Sequence, residues 1–335
     1  MSSVFFLGAT GYVGGAFLVA LKSAYPDSRI TALVRSEEKG AAVKAAGAQQ
    51  IIVGSHEEHE KIRAASAEAD VVVNAADSDY LPLTSAIIAG LKERAKKGGK
   101  KPLLFHTSGT GVIYVGTEGK FVAAAEKVWN DSKEEDVKAI DASQPHRNVD
   151  LELFKTDKEG IISCYIMCPP TIYGTGKGPV NRISIQVPGM IRAALRRKQA
   201  VYVGEGTNKW NNVHIDDLMD LYLIVFKLAT SGEDPETSPY AKFYFASAAE
   251  HTWGDVARDI APLLYKRGLV KNQEAISVPA SEDRELTMLT ATNSRSVSER
   301  SFALGWKPKS RSLKETLEED VDAVIKHGAT AGHSH

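Results

Sequence analysis

Short apolar runs separated by helical periods fill the first half of the chain. Val4–Leu7 (VFFL) reads as a strand and passes through a glycine-rich turn into a helical stretch near Tyr12–Ser23. Strands at Ile30–Val34, Gln50–Val53, Asp70–Asn74 and Pro102–His106 follow, with helices around Glu38–Ala46, Glu57–Ala67 and Pro82–Lys96 between them. Such unbroken apolar runs suit parallel strands covered on both faces, and right-handed crossovers join them into a doubly wound sheet. The fold class this predicts is α/β: a Rossmann-type doubly wound parallel sheet with a smaller mixed α/β C-terminal lobe.

After Thr107 the rhythm breaks. Thr110–Gln144 carries mixed signals, with a helical patch around Phe121–Trp129. A helix after Pro145 runs to about Lys158, and the strand Ile161–Met167 follows. Pro169–Pro188 is rich in Gly, Pro and Thr, the texture of a substrate-side loop. Beyond it come helices at Val187–Lys198, Asp216–Leu228, Thr252–Lys266 and Leu313–Lys326, and strands at Val201–Val203 and Phe243–Ala246. Thr252, with Asp255 three residues on, is a cap for its helix. The tail after Gly328 is expected to fray.

Composition acts mainly by exclusion. The 335 residues are 43% hydrophobic and 25% charged, enough to bury a core. A net charge of −1 removes any general attraction for nucleic acid or an anionic membrane. The basic run Lys92–Lys101 then reads as a solvated helix end. Cys164 and Cys168 are too far apart along one strand for a relaxed disulfide, so they are expected as reduced core residues in the cytoplasm. No apolar run reaches the ~18 residues of a membrane span, and no basic region precedes Val4–Leu7 as in a signal peptide.

The chemistry begins at Gly8-Ala9-Thr10-Gly11-Tyr12-Val13-Gly14, between a strand and a helix. Gly8 allows a tight turn, Gly11 lets the backbone approach a pyrophosphate, and Gly14 allows close helix–strand packing. The helix N-terminus offers free N–H groups to phosphates. The end of the second strand selects the nucleotide. An acid there would hold the ribose hydroxyls of NAD, whereas this chain has Arg35 and Ser36, a forked cation and a hydroxyl suited to a 2′-phosphate. The expected cofactor is NADP(H). The bland alternative is an exposed arginine opening a loop.

With these residues the chain resembles the extended or atypical short-chain dehydrogenase/reductases, among them sugar-nucleotide epimerases and flavonoid-type reductases, over nearly its whole length. Asn74-Ala75-Ala76 looks like the family segment beside the adenosine ribose and phosphates. His106-Thr107-Ser108-Gly109-Thr110 looks like the one that carries the catalytic Ser/Thr. Pro169-Pro170-Thr171-Ile172-Tyr173-Gly174 resembles the stretch beside the nicotinamide, and Asn212–Asp217 a landmark of the C-terminal lobe. The resemblance implies cofactor contacts from Gly8, Thr10, Gly11, Tyr12, Val13, Gly14, Arg35, Ser36, Asn74, Ala75, Ala76, Thr107, Pro169, Thr171 and Ile172. It implies an NADP(H)-binding domain over 1–180, a mainly substrate-binding lobe over 181–328 from which segments can return to the sheet, and a flexible tail over 329–335. It also implies a small-molecule substrate, and a homodimer through Pro82–Lys96 and Arg147–Lys158.

One departure stands out. The family's proton donor is the tyrosine of Tyr-x-x-x-Lys, but here the corresponding helix begins Pro145-His146-Arg147-Asn148-Val149-Asp150. His146 falls at the tyrosine position and Asp150 at that of the lysine. In one reading His146 donates the proton, Asp150 orients it at i,i+4, and Ser108 or Thr110 binds the carbonyl oxygen. The chain is then an NADPH-dependent reductase of a small carbonyl or related substrate. In another it has lost its chemistry and senses NADP(H), as the nitrogen-metabolite-repression regulators of this superfamily do. A third makes the pair a plain helix start, and an epimerase or dehydratase is the last choice because that chemistry uses the missing pair. Tyr114 and Tyr173 are weaker donor candidates, and Asn181 and Arg182 are candidate anion contacts. His214, Asp216 and Asp217 lack a third ligand for a metal. His56 and His59 receive no role.

Overall fold

The apolar runs of the first half assemble edge to edge, and the second half completes their sheet. In the computed structural model, which describes residues 3–232 and 238–327, the order begins β1 (Ser3–Leu7), α1 (Tyr12–Ala24), β2 (Arg29–Val34) and α2 (Glu37–Ala45). Then come β3 (Gln50–Val53), α3 (His59–Ser66), β4 (Val71–Asn74), α4 (Leu81–Lys96) and β5 (Leu103–Thr107). After a long irregular stretch follow α5 (Arg147–Lys158), β6 (Ser163–Cys168), β7 (Thr171–Tyr173), α6 (Gln186–Arg197), β8 (Lys209–His214) and α7 (Ile215–Ser231). The remaining long elements are β9 (Phe243–Phe245), β10 (Ala249–Thr252), α8 (Trp253–Lys266) and α9 (Leu313–His327).

One parallel sheet runs β9-β6-β5-β4-β1-β2-β3. Its order reverses between β1 and β4, so the carboxyl ends of these strands open the crevice where such sheets bind ligands. Alternate residues face opposite sides. Phe5, Leu7, Val72 and Leu104 pack toward Ile62, Ile87 and Leu153 of α3, α4 and α5. Val4, Phe6, Val73 and Phe105 pack toward Phe17 of α1 and Leu221 and Tyr222 of α7. There Phe17 meets Tyr222 edge-on at 5.1 Å. Burial on both faces is why these strands are continuously apolar rather than alternating.

α6, α8 and α9 bury a separate core that includes Val201, Trp210 and Leu286, beside a small sheet β10-β8-β7. β9 and α7 lie beyond residue 180 yet belong to the large sheet and its covering layer. Thr252 caps α8 by accepting the Asp255 N–H. Cys164 and Cys168 are buried free thiols. No helix among the described residues is long and apolar enough to cross a membrane.

Two expectations need correction. Phe121–Trp129 is not an α-helix: it holds one 3₁₀ turn at Ala123–Ala125, and Trp129–Asn130 pairs with Ser296–Val297. A helix there would bury no apolar stripe, since Val122 and Val128 face solvent. Instead the Trp129 N–H donates to Arg295 O at 3.0 Å, and Lys127 covers its ring. Within the Gly- and Pro-rich stretch, Thr171–Tyr173 is a strand paired with β8. The tail after Gly328 lies outside the described residues.

Candidate functional site

The glycine turn owes its shape to contacts that no side chain survives. Gly8 has φ +87°, and a Cβ there would stand 2.2 Å from Ala75 O. A Cβ on Gly14 would stand 2.2 Å from Gly8 O. The Gly11 N–H closes the turn onto Gly8 O at 2.9 Å, and Gly11 is the N-cap of α1 without a side-chain cap. The N–H groups of Tyr12, Val13 and Gly14, in the first helical turn, are therefore presented with the positive end of the helix dipole. This cradle fits a pyrophosphate. Tyr12 contributes only backbone, since its buried hydroxyl donates to Gly174 O at 2.7 Å. The segment from Gly174 to Arg182 straps this turn, with the Asn181 N–H donating to Thr10 O at 3.1 Å.

The residues expected on the adenosine side lie at the ends of β2, β3 and β4. Arg35 is exposed just past β2, and Ser36 caps α2 by accepting the Lys39 N–H. β2 and β3 end in register, with the Gly54 N–H on Val34 O at 2.9 Å. That register brings His56 near Arg35. Burial lowers the His56 pKa, the Arg35 charge adds to this, and Asp77 opposes it. Sequence reasoning left His56 without a role. Its place just past the end of β3, matching that of Arg35 past β2, was the available signal. Asn74 is buried, with Oδ1 accepting the Ala76 N–H at 3.3 Å and Nδ2 3.2 Å from His106 Nδ1. Burial depresses His106 to about 3, so it stays neutral and takes the Asn74 N–H on Nδ1.

Past β5 the chain turns back at the carboxyl ends of β5 and β6. The Ser108 N–H donates to Met167 O and the Thr110 N–H to Pro169 O. Thr107 points away, its Oγ1 3.0 Å from Tyr222 OH. Thr171 Oγ1 donates to Gln186 Oε1, and Ile172 sits in register with Val213. Asp150 is fully buried, with Ser108 Oγ 3.1 Å from Oδ2. Burial pushes its pKa up to about 7, against the Arg147 charge and the Ser108 hydrogen bond, which lower it. Thr110 Oγ1 and Asp150 Oδ1 are buried and lack a hydrogen-bond partner among the described residues.

His146 does not pair with Asp150. It is the N-cap of α5 at φ +65°, left-handed and outside the first helical turn, so the i,i+4 spacing does not bring the two side chains together. A non-glycine residue in this conformation costs about 1–2 kcal/mol. The carboxylate it meets is Asp79, just before α4: Oδ1 accepts the His146 backbone N–H at 2.8 Å and lies 3.0 Å from Nδ1. Ser78 Oγ lies 2.8 Å from the same nitrogen. On the ring's other side, a Cβ on Gly109 or Gly111 would stand 3.4 or 3.1 Å from Nε2. These two glycines leave room for the imidazole over the turn that carries Ser108 and Thr110. Asp79 and Ser78 were missed, although three polar residues directly after Asn-Ala-Ala, Asp77-Ser78-Asp79, marked the place.

Tyr173, Arg182 and His214 are engaged elsewhere. Tyr173 OH donates to Arg311 O at 2.9 Å, and burial pushes its pKa up to about 12. Arg182 donates to Gly176 O, and His214 caps α7.

Residues 4–239 match the model of the NAD dependent epimerase/dehydratase family. The oxidase ucsJ of Acremonium sp is 30% identical over 94% of this chain and 95% of its own length. An uncharacterized protein of Schizosaccharomyces pombe is 26% identical over 95% of this chain and 99% of its own. Among solved structures, the UDP-glucose 4-epimerase of Thermotoga maritima superposes with a TM-score of 0.67 at 16% identity, covering 97% of this chain and 99% of that one. The dTDP-glucose 4,6-dehydratase of Bacillus anthracis gives 0.66 at 18%, with 97% of each chain covered. At such identities the two structures speak for the fold alone.

Proposed function

This chain belongs to the NAD dependent epimerase/dehydratase family, and from that premise we propose that it is an NADP(H)-dependent oxidoreductase acting on a small carbonyl or related substrate. The observation that carries the proposal is the His146 ring, seated over the Ser108–Gly111 turn with Nδ1 occupied by Asp79 and Nε2 directed at Gly109 and Gly111. The cradle from Gly8 to Gly14 would hold the pyrophosphate, and Arg35 and Ser36 the 2′-phosphate. A nicotinamide dinucleotide, when bound, supplies or takes up a hydride. The rest falls to the chain. Thr110 Oγ1, which lacks a partner among the described residues, and Ser108 Oγ bind the substrate oxygen. With its pKa pushed up to about 7, the buried Asp150 is about half carboxylic acid near neutral pH, and in that form it can donate to Ser108 Oγ and so free the serine hydrogen for that oxygen. The Nε2–H of His146 gives the proton that completes the alcohol. The name oxidase carried by the Acremonium relative supports the same chemistry run backwards, with Nε2 accepting the proton.

The division near residue 180 into a dinucleotide part and a substrate lobe, and a cytoplasmic setting for the two free thiols, belong to the same proposal. So does a homodimer. Of the apolar residues on α5, Val149, Leu153 and Phe154 are buried in the chain's own core, which leaves exposed Leu151 and, on α4, Leu81 as its face. A single-chain mass by light scattering at micromolar concentration removes the dimer.

Arg35 tests the cofactor. NADPH is expected to bind at least tenfold tighter than NADH, about 1.4 kcal/mol, and Arg35→Asp to abolish or reverse the preference. Equal affinities in the parent would overturn the assignment. Turnover of NADPH across a carbonyl panel tests the enzyme. Tight binding with no turnover on any member favours the second reading, a non-catalytic NADP(H) sensor, which the missing Tyr-x-x-x-Lys pair supports.

A further inference from the structure

We propose that Asp79 is the positioning residue of His146: its carboxylate fixes the imidazole with the proton on Nδ1 and directs Nε2 at the Ser108–Gly111 turn. The inference rests on the reading that His146 handles the proton. Two independent contacts carry it. Asp79 Oδ1 accepts the His146 backbone N–H at 2.8 Å, which sets where α5 starts, and lies 3.0 Å from Nδ1, which sets the ring. Asn148 Nδ2 donates to Asp79 O at 3.0 Å, and Asp77 Oδ1 accepts the N–H groups of Asp79 and Tyr80. The starts of α4 and α5 are thereby stitched together, with the imidazole at the seam.

The tautomer follows from the donor inventory. The hydrogen bond with His146, offset by burial, helps to hold the Asp79 carboxyl below the usual carboxylate range, so it is ionised and has no hydrogen to give. Nδ1 carrying the hydrogen lets it donate to this carboxylate, with Ser78 Oγ as a second acceptor at 2.8 Å and the Ser78 hydroxyl 3.5 Å from Asp79 Oδ2; Ser78 donating to a bare Nδ1 would instead set that nitrogen's lone pair against the carboxylate. In the imidazolium both nitrogens carry hydrogen. When the Nε2–H bond breaks and an O–H bond forms on the substrate oxygen, the neutral ring left behind is already the tautomer Asp79 stabilises. Its fresh proton arrives from solvent, for the side chain is 22% exposed. A clamp that served only to join two helices would need the backbone contact alone. It would not need Gly109 and Gly111 on the far side of the ring.

Other titratable groups surround the ring. From β5 comes His106, kept neutral by burial; from α5 itself come Asp150 and Arg147, both buried. Asp79 is the ionised group in hydrogen-bond contact with the ring, and removing its charge must disfavour the imidazolium.

Imidazole ¹⁵N shifts of the cofactor-free protein, together with single-turnover rates against pH, test this. The parent is expected to show His146 as the Nδ1–H tautomer. Asp79→Asn, which keeps an acceptor but not the charge, is expected to disfavour the imidazolium, modestly because Asp79 is largely exposed. The basic limb of the rate profile should move with it, and the low-pH rate stay within tenfold. Asp79→Ala is expected to release the ring, lower the rate by ~10–100-fold and leave KM and NADPH affinity within twofold. An Nε2–H tautomer in the parent, or a His146 tautomer and a basic limb that move in neither variant, would overturn the proposal. If instead both variants shift the ring while His146→Asn leaves turnover untouched, the donor reading fails and the positioning contact stands.

Discussion

Gly14→Ala is expected to lower NADPH affinity by ~10²–10⁴-fold in a chain that still folds. The added Cβ would lie 2.2 Å from Gly8 O and 3.1 Å from Ala75 Cβ, so the start of α1 must move off both β1 and the segment after β4. Neither neighbour is a flexible side-chain end that could swing aside. The shift takes the N–H groups of Tyr12, Val13 and Gly14 out of the geometry that cradles two phosphates. Two charge-assisted hydrogen bonds at ~1.5–3 kcal/mol each account for that range of affinity. Overpacking of this kind destabilises by ~1–3 kcal/mol, less than the stability of a typical domain. Gly116→Ala serves as control, because a Cβ there meets nothing within 4 Å. Fluorescence titration with NADPH and a thermal melt of each variant make the comparison. A Gly14→Ala affinity within threefold of the parent would place the dinucleotide elsewhere.

What the sequence discloses and what it hides divide along contact distance. β1 through β5 are legible because each is an apolar run whose own residues announce it, and the glycine turn because its glycine spacing is local even though Ala75 closes on it from afar. The resemblance then singles out Asn74, Ser108 and His146 along the chain. It does not find their partners. Asp79 meets His146 across 67 positions, and although the polar run Asp77-Ser78-Asp79 marks one side of that meeting, neither segment encodes the pairing by itself. The i,i+4 pairing of His146 with Asp150 assumes that both residues are helical. It fails because a single left-handed residue at the N-cap turns the imidazole out of the helical frame and leaves Asp150 facing Ser108. Phe121–Trp129 misleads in the opposite way: its alanines favour helix locally, but Trp129 gains a strand partner from residues near 296. In each failure a long-range contact overrides a local preference.

His146→Asn is expected to lower the single-turnover rate of NADPH oxidation by ~10²–10⁴-fold, the usual worth of a positioned acid, or ~2.7–5.5 kcal/mol of barrier. Asparagine tolerates the left-handed N-cap conformation better than most residues, so the start of α5 should survive. Its amide can hydrogen-bond but cannot give up a proton to an alkoxide near neutral pH. Affinity for NADPH should change little, because the groups proposed to hold its phosphates lie on other elements, from Gly8 to Gly14 and at Arg35. The pH profile gives the sharper distinction. A group that acts as an acid works in its protonated form, so the parent's rate falls as pH rises. In the variant that basic limb should vanish, leaving a slow rate in which water supplies the proton. For oxidation of the alcohol the sign inverts, and the parent's acidic limb is the one lost. His146→Phe should give a similar loss if the larger ring fits beside Gly109 and Gly111. A rate for His146→Asn within threefold of the parent, with its limb intact, would remove His146 from the chemistry. The proton would then have to come from the other hydroxyls over the turn, and Ser108 is the strongest of these because Asp150, a buried acid with a pKa near 7, stands behind it ready to replace what it gives.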